Sequence, residues 1–134
     1  MKIMISSALI QTWMILKIIN NMKTFKEKDF TRGWFVGDFI PTAFNTKNCE
    51  VAVKRFKKGD YENPHYHKIA TEINLIISGK AIINNETYYE GDVILVEPNQ
   101  VVEFSVQEDC VLVAVKIPCA IGDKYEVEKN IEKE

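Results

Sequence analysis

The chain carries two histidines, at positions 65 and 67. In an extended segment, side chains at i and i+2 project to the same face, so His65 and His67 converge while Tyr66 points away. Glu72 follows on the next strand-like run. Two neutral imidazoles and one carboxylate form the facial donor set favoured by iron(II) and related divalent cations, with positions left for water or substrate. Manganese, nickel, cobalt or zinc suit the same nitrogen and oxygen donors. Pro64 stiffens the approach to His65. The competing reading makes both histidines surface strand residues without a ligand.

The elements that must position these groups are short strands. Trp34-Phe35-Val36 reads as one, closed by Gly37-Asp38. Glu50–Phe56 alternates, with Val51, Val53 and Arg55 on one face and Ala52, Lys54 and Phe56 on the other. Gly59-Asp60 breaks that run, and the next strand covers 72–77, stopped by Ser78-Gly79. Lys80–Ile83 and 87–89 flank Asn84-Asn85, a hairpin signal. Val93–Val96, 101–106 and 111–117 complete the set, separated by turns and stopped by Pro118. Many short strands at near-regular spacing indicate an all-β antiparallel sandwich or barrel. On the inward face Asn74 and Ile76 alternate with Glu72, and Ala52 accompanies Lys54. Asn74 and Lys54 are the best candidates for lining a substrate pocket.

The two ends differ from this middle. Residues 1–21 form an apolar extension, too short to span a bilayer and without a small-residue cleavage site. It reads as a packed helix or arm at a dimer contact, as residues upstream of a true start at Met22, or as a weak membrane anchor. The barrel is expected over 22–123, and 124–134 is a charged tail that frays or forms a short helix.

Composition narrows the function. A length of 134 residues implies one domain with a real core. The net charge of −2 offers no basic footprint for nucleic acid. Lys54, Arg55, Lys57 and Lys58, beside Glu50 and Asp60, read as a solvated strand end rather than a phosphate-binding patch. Cys49, Cys110 and Cys119 are odd in number and lack a Cys-x-x-Cys spacing. Neither a disulfide framework nor a thiolate zinc site follows, and this usage suits a cytoplasmic location. Cys110 lies in an apolar run and reads as a small core residue. The chain has no phosphate-cradling glycine loop and no Gly-x-Ser-x-Gly elbow. With both histidines on a metal, a serine or cysteine nucleophile would lack its base.

The spacing around the histidines carries a resemblance. Gly59, five residues, His65-Tyr66-His67, four residues, Glu72, six residues and Gly79 resembles the first signature motif of the cupin superfamily at every position. The resemblance extends over about Val51 to Pro118. It implies a double-stranded β-helix, or jelly-roll barrel, with His65, His67 and Glu72 as metal ligands in its mouth. It also suggests a homodimer paired through sheets, with Trp34 and Phe35 near the contact. The second motif departs from the family. Six residues rather than five separate Gly91 from Pro98, Gln100 replaces a glycine, and Glu103 stands where a fourth ligand histidine is usual. Glu103 then reads as a fourth ligand, as an acid or base beside a three-ligand metal, or as an outward carboxylate of a decayed site. Together these features suggest a metal-dependent isomerase, lyase or dioxygenase with iron, manganese, nickel or zinc. Its substrate would be a small polar metabolite such as a sugar derivative, keto acid or thiol acid. The alternative is a non-catalytic module that senses or stores a small ligand, with a structural metal or none.

Overall fold

A computed structural model describes Met4, residues 6–19 and residues 21–128. The chain forms ten strands among them, most with apolar-polar alternation: β1 (Trp34–Val36), β2 (Glu50–Phe56), β3 (Tyr61–Tyr66), β4 (Thr71–Ser78), β5 (Lys80–Ile83), β6 (Glu86–Tyr89), β7 (Val93–Val96), β8 (Val102–Ser105), β9 (Cys110–Ile117) and β10 (Tyr125–Glu126). One sheet has the order β1-β2-β9-β4-β7 and the other β10-β3-β8-β5-β6. From β2 onward the chain passes from one sheet to the other at nearly every connection, and the named strands pair antiparallel. This is the double-stranded β-helix that the sequence led us to expect.

Local chemistry fixes the turns. Asn84 and Asn85 both take left-handed backbone (φ 51° and 66°), as a two-residue hairpin turn requires, and close β5 onto β6. Gly79 also lies at positive φ (76°), and a Cβ there would collide with the Asp109 carbonyl. The glycine of the histidine motif is therefore demanded by close backbone approach.

The inner face of the first sheet is graded along its strands. Lys116 lies opposite Glu50 on one side and Glu72 on the other. One step inward, Ala114 lies between Ala52 and Asn74, and a further step brings Leu112 between Lys54 and Ile76. Polar and charged side chains thus collect at one end of the barrel. The other end is filled by Ile76, Ala81, Ile83, Phe104, Val106, Cys110 and Leu112, all buried. Phe56 and Phe104 meet there with ring centroids 4.6 Å apart. Cys110, 1% exposed, is a core residue as expected.

Two strands were not anticipated. β3 contains Pro64 and little alternation, so its pattern did not read as a strand. β10 begins inside the segment expected to be a fraying tail, and pairs Tyr125 with Tyr66 and Glu126 with His65. The apolar extension contains an α-helix, α1 (Ser7–Ile19), whose side chains from Leu9 to Leu16 are exposed. Among the described residues, no helix is long and apolar enough to cross a membrane.

Candidate functional site

At the polar end of the barrel lies a cavity of about 50 Å³. One water needs roughly 10–15 Å³ on the same measure, so a few waters or a small head group fit. Its polar wall is formed by Lys54, Glu62, His65, His67, Glu72 and Asn74. Val102, Phe104 and Leu112 contribute to the apolar wall. The structure therefore brings together five of the six side chains singled out from the sequence, with Glu103 outside.

Both imidazoles are held from behind. His65 Nδ1 lies 2.8 Å from the Asn63 carbonyl oxygen, and His67 Nδ1 lies 2.7 Å from the Asp123 carbonyl oxygen. A carbonyl oxygen can only accept, so each Nδ1 donates a proton and each Nε2 is left for the cavity. Burial pushes the His65 pKa down, which keeps its Nε2 lone pair free near neutral pH. His67 differs, because its Nε2 lies 2.9 Å from Glu72 Oε2. With Nδ1 already donating, that contact requires a second ring proton, and the hydrogen bond to Glu72 raises the His67 pKa. Burial alone would raise the Glu72 pKa. The His67 hydrogen bond and the Lys116 charge outweigh it and hold Glu72 at about 2.

Asp123 supplies the support that sequence reading missed. Its buried carboxylate accepts from the backbone N–H groups of Lys68 (3.0 Å), Ile69 (3.0 Å) and Ala70 (2.9 Å). It thereby folds the turn between His67 and Glu72 and sets its own carbonyl under the His67 ring. Only its neighbour Gly122 hinted at an ordered turn in that stretch.

Glu62 was also missed. It stands three residues before His65, so strict alternation would place the two on opposite faces. A register irregularity between Glu62 and His65, where Pro64 lacks an N–H, turns both toward the cavity. Glu62 Oε2 lies 3.9 Å from His65 Nε2, and Glu62 Oε1 lies 3.7 Å from Lys54 Nζ. Burial lowers the Lys54 pKa.

Glu103 requires a correction. Val102 lies opposite His65, and Phe104 opposite Glu62, so β8 turns these apolar side chains inward. Phe104 is 5% exposed and belongs to the core. Glu103, between them, faces away and accepts a hydrogen bond from the Tyr61 hydroxyl at 2.6 Å. Glu103 therefore lies outside the cavity that holds His65, His67 and Glu72. The extra residue between Gly91 and Pro98 displaces the second motif, and burial of Val102 and Phe104 decides the register.

The donor chemistry suits one divalent cation at His65 Nε2, His67 Nε2 and Glu72. Among the described residues, no three imidazole, carboxylate or thiol groups already surround a common point at ligand spacing. His67 Nε2 and Glu72 Oε2 stand 2.9 Å apart, and the second proton on His67 supplies positive charge at that contact.

A two-sheet barrel whose chain alternates between its sheets is a double-stranded β-helix, here with a histidine-carboxylate cavity at one end. No family model and no curated protein matches the chain. Solved structures do. One is an uncharacterized conserved protein with a double-stranded β-helix domain from Klebsiella pneumoniae, at 21% identity and a TM-score of 0.60, covering 81% of this chain and 94% of that one. Another, of the DMSP lyases RdDddP and RnDddQII, matches at 18% identity and a TM-score of 0.58, covering 80% of this chain and 61% of that one. An RmlC-like cupin from Shewanella frigidimarina matches at 18% identity and a TM-score of 0.53, covering 58% of this chain and 72% of that one. At these identities the likeness is one of fold.

Proposed function

We propose that the chain binds one divalent cation through His65, His67 and Glu72 and acts as a metal-dependent enzyme on a small polar metabolite with an acidic or carbonyl head group. The observation that carries this reading is the pair of backbone carbonyls holding each Nδ1, which commits both Nε2 atoms to the cavity. A bound cation would polarise a carbonyl oxygen or activate a water. Glu62 takes the acid-base role once given to Glu103, because it lines the cavity between His65 and Lys54. Lys54 supplies positive charge to orient an acidic head group, and Asn74 offers an amide on the same wall. The apolar wall limits water around the reacting atoms. A lyase named among the similar structures agrees with this class of chemistry without choosing the reaction.

The small cavity favours one other reading, a non-catalytic module that senses a small ligand. We propose that a second copy of the chain covers the exposed Val93 and Leu95 on the outer sheet face. Light scattering would give the mass directly.

The test is elemental mass spectrometry of protein purified without a histidine tag, beside His65→Ala. Near-stoichiometric iron, manganese, nickel or zinc, lost in the variant, supports the cation site. No metal after reconstitution overturns it. With metal established, Glu62→Gln should keep the metal and abolish turnover; unchanged turnover removes Glu62 from the chemistry.

A further inference from the structure

A second, larger depression adjoins the inner cavity. It measures about 840 Å³ and shares Lys54, Phe56 and Glu62 with the cavity wall. Its far side is built by two short 3₁₀ turns, Glu27–Asp29 and Thr31–Gly33. These turns are fixed to the barrel. Arg55 clamps Glu27 through two hydrogen bonds of 2.8 and 3.0 Å. Gly33 packs so closely on the Val53 backbone that a Cβ would collide with it.

The charges of this groove are unequal. Arg55 is engaged by Glu27, and Lys54 by Glu62. Lys26, Lys28, Arg32 and Lys124 remain, and among the described residues none of their charged groups has a carboxylate within 4 Å. Asp60 is the remaining acid of the wall, and it already accepts from the Lys57 N–H at 2.8 Å. Phe30 and Phe56 give the groove an apolar strip between these cations.

We propose that the groove binds the distal half of an extended dianionic substrate. One acidic or carbonyl head group enters the small cavity at Lys54. An apolar chain lies along Phe56 and Phe30, and a second acidic group meets Lys28 and Arg32 on the two adjoining turns of the far side. This rests on the reading of the inner cavity as the reacting end, and it resolves the mismatch between a 50 Å³ cavity and a whole metabolite. The contacts are exposed, so each charge acts modestly and is screened by salt.

Calorimetric titration tests this on the full chain, with linear monocarboxylates and the matching α,ω-dicarboxylates as probes. Dicarboxylates above a threshold length should bind roughly tenfold more tightly than monocarboxylates of equal length. Lys28→Ala with Arg32→Ala should abolish that preference while leaving monocarboxylate affinity and metal content unchanged. Equal binding of the two series, binding of neither, or a preference that survives in the double variant overturns the proposal. Metal content of the same samples separates the two readings. Metal without a dicarboxylate preference removes the groove alone, and a preference without metal removes the cation alone.

Discussion

Replacing Asp123 by alanine should cost stability well beyond what its position in a loop suggests. Its carboxylate accepts from three successive backbone N–H groups, and it is only 5% exposed. Ala70, 1% exposed, would be left with a buried and unsatisfied N–H. An orphaned buried donor costs roughly 1–3 kcal/mol. Lys68 and Ile69 are exposed, so water can replace their lost partner at roughly 0.5 kcal/mol each. The sum is about 2–4 kcal/mol, or a fall in Tm of roughly 8–15 °C for a domain of this size. Asp123→Asn keeps an acceptor oxygen without the charge and should lose about half as much. Urea unfolding at pH 7 measures both. Reconstituted Asp123→Ala should also bind metal roughly tenfold more weakly, because the turn that carries the His67 partner carbonyl loosens. An Asp123→Ala unfolding free energy within about 0.5 kcal/mol of the parent would refute this account of how His67 is placed.

In the metal-free chain the Glu72–His67 pair should stabilise most between about pH 4.5 and 6.5. Glu72 is held at about 2 against a usual 4.5, so its contribution, about 3 kcal/mol, is present above pH 4.5 and lost as pH falls toward 2. His67 is raised above 6.5, so its contribution is present below that pH and lost as pH rises through the native value. A cation takes the place of the His67 proton, so metal should abolish the alkaline decline, as thermal scans across pH would reveal. Glu103→Gln should leave metal content unchanged and cost under about 1 kcal/mol, since only the exposed Tyr61 hydrogen bond changes; metal loss by elemental analysis would restore it as a ligand. Deleting residues 1–21 should leave the denaturation midpoint unchanged, because the described side chains of that segment are exposed; aggregation of the shortened chain would contradict this.

The sequence made the barrel legible because its alternating strands and paired turn residues are local signals. His65, His67 and Glu72 were legible because an i, i+2 pair and a following strand depend on short-range geometry alone. The errors arose where tertiary packing overrides spacing. Glu103 was placed by counting from Pro98, although Val102, Phe104 and Val106 on the alternate positions already marked the other face as inward. Glu62 was hidden by the irregularity at Pro64, which breaks the parity on which the reading relied. Asp123 acts across 53 residues of sequence, and nothing local in the chain announces such a contact.

The charges gathered at the polar end explain why a proton and a cation would compete there. Glu50, Glu62 and Glu72 bring three negative charges; Lys54 and Lys116 bring two positive ones. Glu50 is 8% exposed, and a buried charge of this kind is costly unless it is balanced. Lys124 acts on Lys54 and His65 from the same end, and the second proton on His67 offsets further carboxylate charge in the metal-free barrel. Exchanging that proton for a divalent cation adds one positive charge to the cluster. The loaded cavity would then attract an anion more strongly than the metal-free one. Binding of cation and acidic ligand should accordingly be cooperative, each raising the affinity for the other by the same factor.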